Sequence, residues 1–144
     1  MGVEILNKDF SLTIYGFSGT AVNKNYGATA FKLMDKMWET VKSKGLKNKG
    51  VNVWVYEPNE MVFAGVELEN APEVDTGLEL RQINLSKYLY YKHIGPYSGL
   101  AGAYSKMRAY LAENNLKAAL GLEIYGHWSP DESKLETEIL MGLD

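Results

Sequence analysis

Cysteine is absent from all 144 positions, and histidine occurs only twice, at His93 and His127. The first absence excludes disulfides, thiolate zinc sites, iron–sulfur clusters and a cysteine nucleophile. The second leaves little from which to build an imidazole metal or haem site, since 34 residues separate the pair. No run of about 18 apolar residues occurs, so no segment reads as a membrane-crossing helix. The opening MGVEILNKDF lacks a basic stretch followed by an apolar one, the pattern of a secretory signal. Basic residues are not in excess. Fifteen Lys and Arg stand against 18 Asp and Glu, a net charge of −3. Phosphate neutralisation needs the opposite balance, so direct nucleic-acid binding is not expected. There is no Gly-x-Ser-x-Gly elbow and no Gly-rich loop ending in Lys-Ser/Thr, which argues against a serine hydrolase and a phosphate loop. The expectation is a cytoplasmic protein that uses no metal and no cofactor.

What the chain has is aromatic surface. Ten tyrosines, three tryptophans and four phenylalanines accompany a hydrophobic fraction of 46% and a charged fraction of 23%. Those fractions are globular, and the length suits one domain spanning 1–144. Tyrosine and tryptophan join an apolar body to a polar tip, which serves a β-rich core and a binding surface equally well.

Two stretches have helical periodicity. In residues 28–45, Phe31, Met34, Trp38 and Val41 form one stripe, and Gly45 supplies a stop. In residues 98–116, Leu100, Tyr104, Met107 and Leu111 form another, with Ser98 as a possible N-cap. Strands are expected at 10–17, 51–56, 61–69, 88–94, 120–125 and 136–143, from alternation and from turns such as Glu57-Pro58-Asn59. The order is strand–helix–strand–strand, twice. Lys36-Met37 and Lys106-Met107 lie 70 residues apart, as do Leu46 and Leu116. An α+β fold made of duplicated β-α-β-β modules follows, about 1–70 and 80–144, joined by an acidic crossover from Glu67 to Glu79. That crossover carries no lysine or arginine.

Strand parity sharpens the reading. Val51, Val53 and Val55 share one face, as do Leu120, Leu122 and Ile124. The expected cover for each aliphatic face is the amphipathic helix of the same half. Trp54 and Tyr56, and Glu123 and Tyr125, then point the other way. If the modules meet through those faces, a carboxylate sits among rings. Ring faces attract cations by roughly 0.5–2 kcal/mol per contact. A partly buried carboxylate adds a full opposite charge in reduced dielectric. Such a site suits a lipophilic, cationic small molecule. An acid in a strand is otherwise most often solvent-facing.

Three segments bear on a family. Tyr91-Lys92-His93-Ile94-Gly95-Pro96-Tyr97 leads into the second helix, Gly121-Leu122-Glu123-Ile124-Tyr125 follows it, and Glu136-Thr137-Glu138-Ile139 closes the chain. With Trp38, Val55-Tyr56 and Phe63-Ala64-Gly65-Val66-Glu67 in the first half, the sequence resembles the GyrI-like small-molecule-binding domain, the effector-binding domain of AraC-type and MerR-type multidrug regulators. The resemblance implies pseudo-twofold symmetry, antiparallel sheets with one long helix per module, and a ligand cleft between modules with a glutamate at its base. Glu123 occupies that position, with Trp54, Tyr56, Tyr97 and Tyr125 as walls. Only about ten residues precede the first expected strand, too few for a helix-turn-helix, so a stand-alone form is expected.

The resemblance leaves three roles open. The first is drug or toxin sensing or sequestration. The second is hydrolysis of cyclopropanoid DNA-alkylating compounds, with Glu123 and Tyr56 catalytic. Glu123 would orient or deprotonate a water, and Tyr56 would hydrogen-bond the substrate carbonyl. The third is inhibition of a protein partner such as DNA gyrase. Two further signals have plainer accounts. His93 packs or hydrogen-bonds near a strand end. Lys32, Lys36, Lys42 and Lys44 line a solvated helix face, with a contact surface for an acidic partner as the alternative.

Overall fold

The protein is described from a computed structural model covering residues 2–127 and 129–143. Its strands are β1 (Glu4–Leu6), β2 (Phe10–Thr20), β3 (Asn48–Glu57), β4 (Met61–Leu68), β5 (Glu79–Leu85), β6 (Tyr88–Ile94), β7 (Ala118–Tyr125) and β8 (Glu136–Leu143). Helix α1 spans Tyr26–Ser43 and α2 spans Leu100–Glu113. The α+β class is as expected, and each of the six expected strands is present. All strands lie in one antiparallel sheet of order β1-β6-β8-β7-β3-β4-β2-β5. From β6 to β2 the order is palindromic, β6-β8-β7 facing β3-β4-β2. The two halves therefore meet edge to edge along β3 and β7, not face to face.

Both helices stop in the same way. Gly45, at φ 60°, leaves α1, and the Leu46 amide donates to the Val41 carbonyl at 3.0 Å. Asn115, at φ 52°, leaves α2, and the Leu116 amide donates to the Leu111 carbonyl at 2.9 Å. These are six-to-one closures around a left-handed residue, which glycine and asparagine tolerate best. The start of α2 differs from the expectation. Ser98 lies in a short 3-10 turn, Tyr97–Gly99, and caps nothing with its side chain. Two short or edge strands, β1 and β5, escape the sequence reading. In β5 the run ELRQINL leaves Leu80 exposed and buries Ile83, so alternation is diluted by charge.

The face assignment inverts the expectation. Val53, Val55, Leu122 and Leu140 pack with Ile14, Phe63, Ile83 and Tyr88, a cluster with no helical member. Helix α1 lies on the other face, through Met37 and Val41 against Val66 and Leu68. Helix α2 lies there too, through Ala103 and Met107 against Leu89 and Ile139. Alternation defines two faces but does not say which one a helix covers.

The helix-free face is buried because the sheet coils on itself. Six strand spacings separate β5 from β6 in the order, about 29 Å across a flat sheet. Yet three chain steps join Leu85 to Tyr88, a reach of roughly 11 Å. The sheet must curl to bring these strands together. Accordingly Phe10 on β2 meets Tyr88 on β6 edge to face, with ring centroids 5.9 Å apart. Gly16 and Gly65 pair directly across β2 and β4 inside the coil. A Cβ on Gly16 would fall 1.9 Å from the Ala64 carbonyl oxygen. The glycines permit a close backbone approach that no side chain could share.

Gly16→Ala is therefore expected to destabilise the protein by about 2 kcal/mol or more. Gly102→Ala meets nothing within 4 Å in α2 and is expected to be neutral or stabilising by up to about 1 kcal/mol. Urea unfolding midpoints of the two variants check the contrast.

Candidate functional site

The seam between the halves sets the site. β3 and β7 pair with Trp54 directly opposite Glu123 and Tyr56 opposite Gly121. Parity places Glu123 and Tyr125 beside Trp54 and Tyr56, on the face that carries both helices. Glu123 is only 4% exposed. A lone buried carboxylate is too costly to persist without partners, and here three phenols supply them. Tyr56 donates to Oε1 at 2.9 Å. Tyr125 donates to the same oxygen and Tyr104 to Oε2, both in short hydrogen bonds. A carboxylate offers about four acceptor positions. Among the described residues three are filled, and one on Oε2 remains.

Beside this carboxylate lies a cavity of about 490 Å³. Its lining joins α1 through Tyr26, α2 through Tyr104, Arg108 and Leu111, and the sheet through Tyr56, Glu123, Leu120 and Met141. The volume is within the range of small-molecule sites, and apolar surface dominates its wall. Tyr26 braces Tyr56 edge to face at 5.8 Å.

Of the residues singled out from the sequence, Glu123 and Tyr56 border this cavity. Trp54, Tyr97 and Tyr125 form a separate ladder of rings on the flank of Glu123. Trp54 and Tyr125 are 5.1 Å apart, and Tyr125 and Tyr97 are 5.5 Å apart, all edge to face. Tyr97 ends the ladder at the surface, 40% exposed. The Trp54 indole Nε1 is buried and has no hydrogen-bond partner among the described residues. His93 sits near its strand end, as expected, with Nε2 2.9 Å from the Pro96 carbonyl oxygen and its ring close against Gly99.

Tyr104 escaped the reading of the site because its helical stripe marks it as core. The stripe is right, but the hydroxyl at its end reaches the carboxylate. Tyr26, Arg108 and Leu111 were also missed. Tyr104, Arg108 and Leu111 follow one another at helical spacing on α2, so the signal was a stripe that turns from apolar to charged.

The three phenols are held far above the ordinary tyrosine range. Burial is the main cause for each, followed by the charge of Glu123 and the hydrogen bond to it. Ionising any of them would place a second negative charge against the first. They therefore act as fixed donors.

The GyrI-like small molecule binding domain profile matches residues 1–144. The chain belongs to this family. No curated protein matches it in sequence. Among solved structures, the EcmrR C-terminal domain aligns over 100% of this chain and 99% of its own, with a TM-score of 0.73 and 17% identity. SAV2435 bound to tetraphenylphosphonium aligns over 100% of this chain and 94% of its own, with a TM-score of 0.59 and 18% identity. A hydrolase from Listeria innocua aligns over 99% of this chain and 92% of its own, with a TM-score of 0.57 and 12% identity. At these identities the likeness is one of fold. Among the described residues no helix is long and apolar enough to cross a membrane.

The phenol cluster has a pH signature. The raised folded-state values contribute stability that is complete below the unfolded tyrosine value of about 10 and is lost as pH rises above it. Spectrophotometric titration of the folded protein should leave Tyr56, Tyr104 and Tyr125 silent up to pH about 11. The unfolding free energy should decline over the same alkaline interval. Tyr104→Phe removes one donor to the carboxylate and is expected to cost about 1–3 kcal/mol in urea unfolding.

Proposed function

We propose that this GyrI-like chain binds a lipophilic, positively charged small molecule in the cavity between α1 and α2, with Glu123 as the counter-charge. The family supplies the coarse statement, small-molecule binding. The finer one rests on a single observation: a buried carboxylate, held by three neutral donors, borders an apolar hollow of about 490 Å³. An apolar cation gains there twice. Its body leaves water, at about 25 cal/mol per Å² of apolar area. Its charge meets an anion that bulk water does not screen. Neutral phenols around the carboxylate supply no competing charge. The SAV2435 structure, with its tetraphenylphosphonium, makes that cation a suitable probe. Trp54, Tyr97 and Tyr125 would add a second aromatic wall, reached when the ligand spreads along the seam. The role that follows is sensing or sequestration of a drug or toxin.

A hydrolytic reading has two observations in its favour. The open acceptor position on Glu123 could hold a water within reach of a bound substrate, and one structural neighbour was solved as a hydrolase. In that reaction the water oxygen bonds to a cyclopropane carbon as the ring C–C bond breaks. The released electron pair passes to the conjugated carbonyl. The water's proton passes to Glu123 and from there to the carbonyl oxygen. Tyr56 already donates its proton to Glu123, so it would have to turn to serve that oxygen.

Calorimetric titration with tetraphenylphosphonium tests the binding reading. The wild-type protein is expected to bind saturably, and Glu123→Gln, which keeps the shape and deletes the charge, to bind about ten- to a hundredfold more weakly. Equal affinity in a folded Glu123→Gln variant would remove the counter-charge. Incubation with a cyclopropanoid alkylator, followed by mass spectrometry, tests turnover. A product heavier by one water, formed by the wild type and not by Glu123→Gln, would establish the enzyme.

A further inference from the structure

The floor of the cavity is negative, but its mouth is not. Arg108 stands on α2 one turn beyond Tyr104 and lines the same hollow. Its guanidinium carbon lies 5.9 Å from the centroid of the Tyr104 ring, the ring whose hydroxyl reaches Glu123. Among the described residues no carboxylate approaches Arg108 within 4.0 Å. The other acid in the lining, Glu57, is already held by Arg81, with Nε 3.1 Å from its Oε2. The hollow is thus bipolar. It carries the buried carboxylate of Glu123 on its floor and the exposed guanidinium of Arg108, which has no acidic partner among the described residues, at its mouth. Leu111, Leu120 and Met141 supply apolar wall.

A ligand carrying only positive charge gains at the floor and is opposed at the mouth. A ligand carrying both signs gains at both. The five donors of a guanidinium form a planar fork that matches a carboxylate with two parallel hydrogen bonds. We propose that this site selects amphoteric ligands: flat aromatic molecules with a cationic or N–H donor end for Glu123 and a carboxylate for Arg108. The selection rests on the binding reading above and adds a specificity-determining residue to it. Arg108 is exposed, so its contribution is modest and sensitive to salt.

Two dyes with one chromophore separate the possibilities. Rhodamine 123 is a methyl ester with a single positive charge. Rhodamine 110 carries a free carboxylate in its place. By fluorescence polarisation at low ionic strength, the wild-type protein is expected to bind rhodamine 110 about fivefold more tightly than rhodamine 123. High salt should shrink that ratio. Arg108→Gln should abolish it, and Arg108→Glu should invert it in favour of the ester. Both variants alter an exposed side chain, and a thermal melt verifies that they fold. Equal affinities for the two dyes, or a preference that survives in Arg108→Gln, would overturn the proposal while tetraphenylphosphonium binding leaves the parent reading intact. Failure of the wild type to bind either dye or tetraphenylphosphonium would overturn the parent reading and this one with it.

Discussion

A carboxylate removed from water has to be held by hydrogen-bond donors, and that requirement organises the centre of this molecule. Glu123 on β7 is met by Tyr56 from β3, Tyr125 from its own strand and Tyr104 from α2. Those elements come from both halves of the chain. Sliding β3 along β7 by one residue would turn Tyr56 to the opposite face and strip the carboxylate of a donor. The polar cluster therefore fixes the register of the seam as well as the chemistry of the cavity. An apolar seam would pair as firmly but would not distinguish registers so sharply.

The cost of the arrangement is offset by the coil behind it. On the helix-free face, residues of every strand close over one another around Phe63, Ile14, Leu122 and Leu140. That interior needs no helix, so both helices are available for the other face. They stand either side of the seam and leave a gap between them. The cavity is that gap, with the sheet as its floor. Had each helix covered the Val53 and Leu122 face, Glu123 would have faced outward with no wall.

Much of this was legible in the letters. The period of two in 51–56 and 120–125 identified both seam strands and placed Glu123 on the same side as Tyr56 and Tyr125. Gly45 marked the end of α1, whereas the matching left-handed Asn115 at the end of α2 is seen only in the structure. The choice of face was not legible, because it depends on the coil. The coil in turn depends on strand pairings between residues as distant as Gly16 and Gly65, and on the short link between β5 and β6. Tyr104 was hidden for a related reason. A tyrosine on an apolar stripe reads the same whether its hydroxyl meets solvent or a carboxylate, and only the packing angle of α2 decides.

One consequence concerns how such a molecule can diversify. The residues that close the coil and those that shape the cavity mouth scarcely overlap. Tyr104, Arg108 and Leu111 occupy successive turns of a single helix, and none belongs to the interior cluster on the far side of the sheet. Exchanging the exposed Arg108 would retune which compounds are admitted with little disturbance of the scaffold, whereas Tyr104 and Leu111 also pack beneath α2. One tunable element of selectivity thereby sits on the surface of a rod, while durability resides mainly in the interior of the sheet.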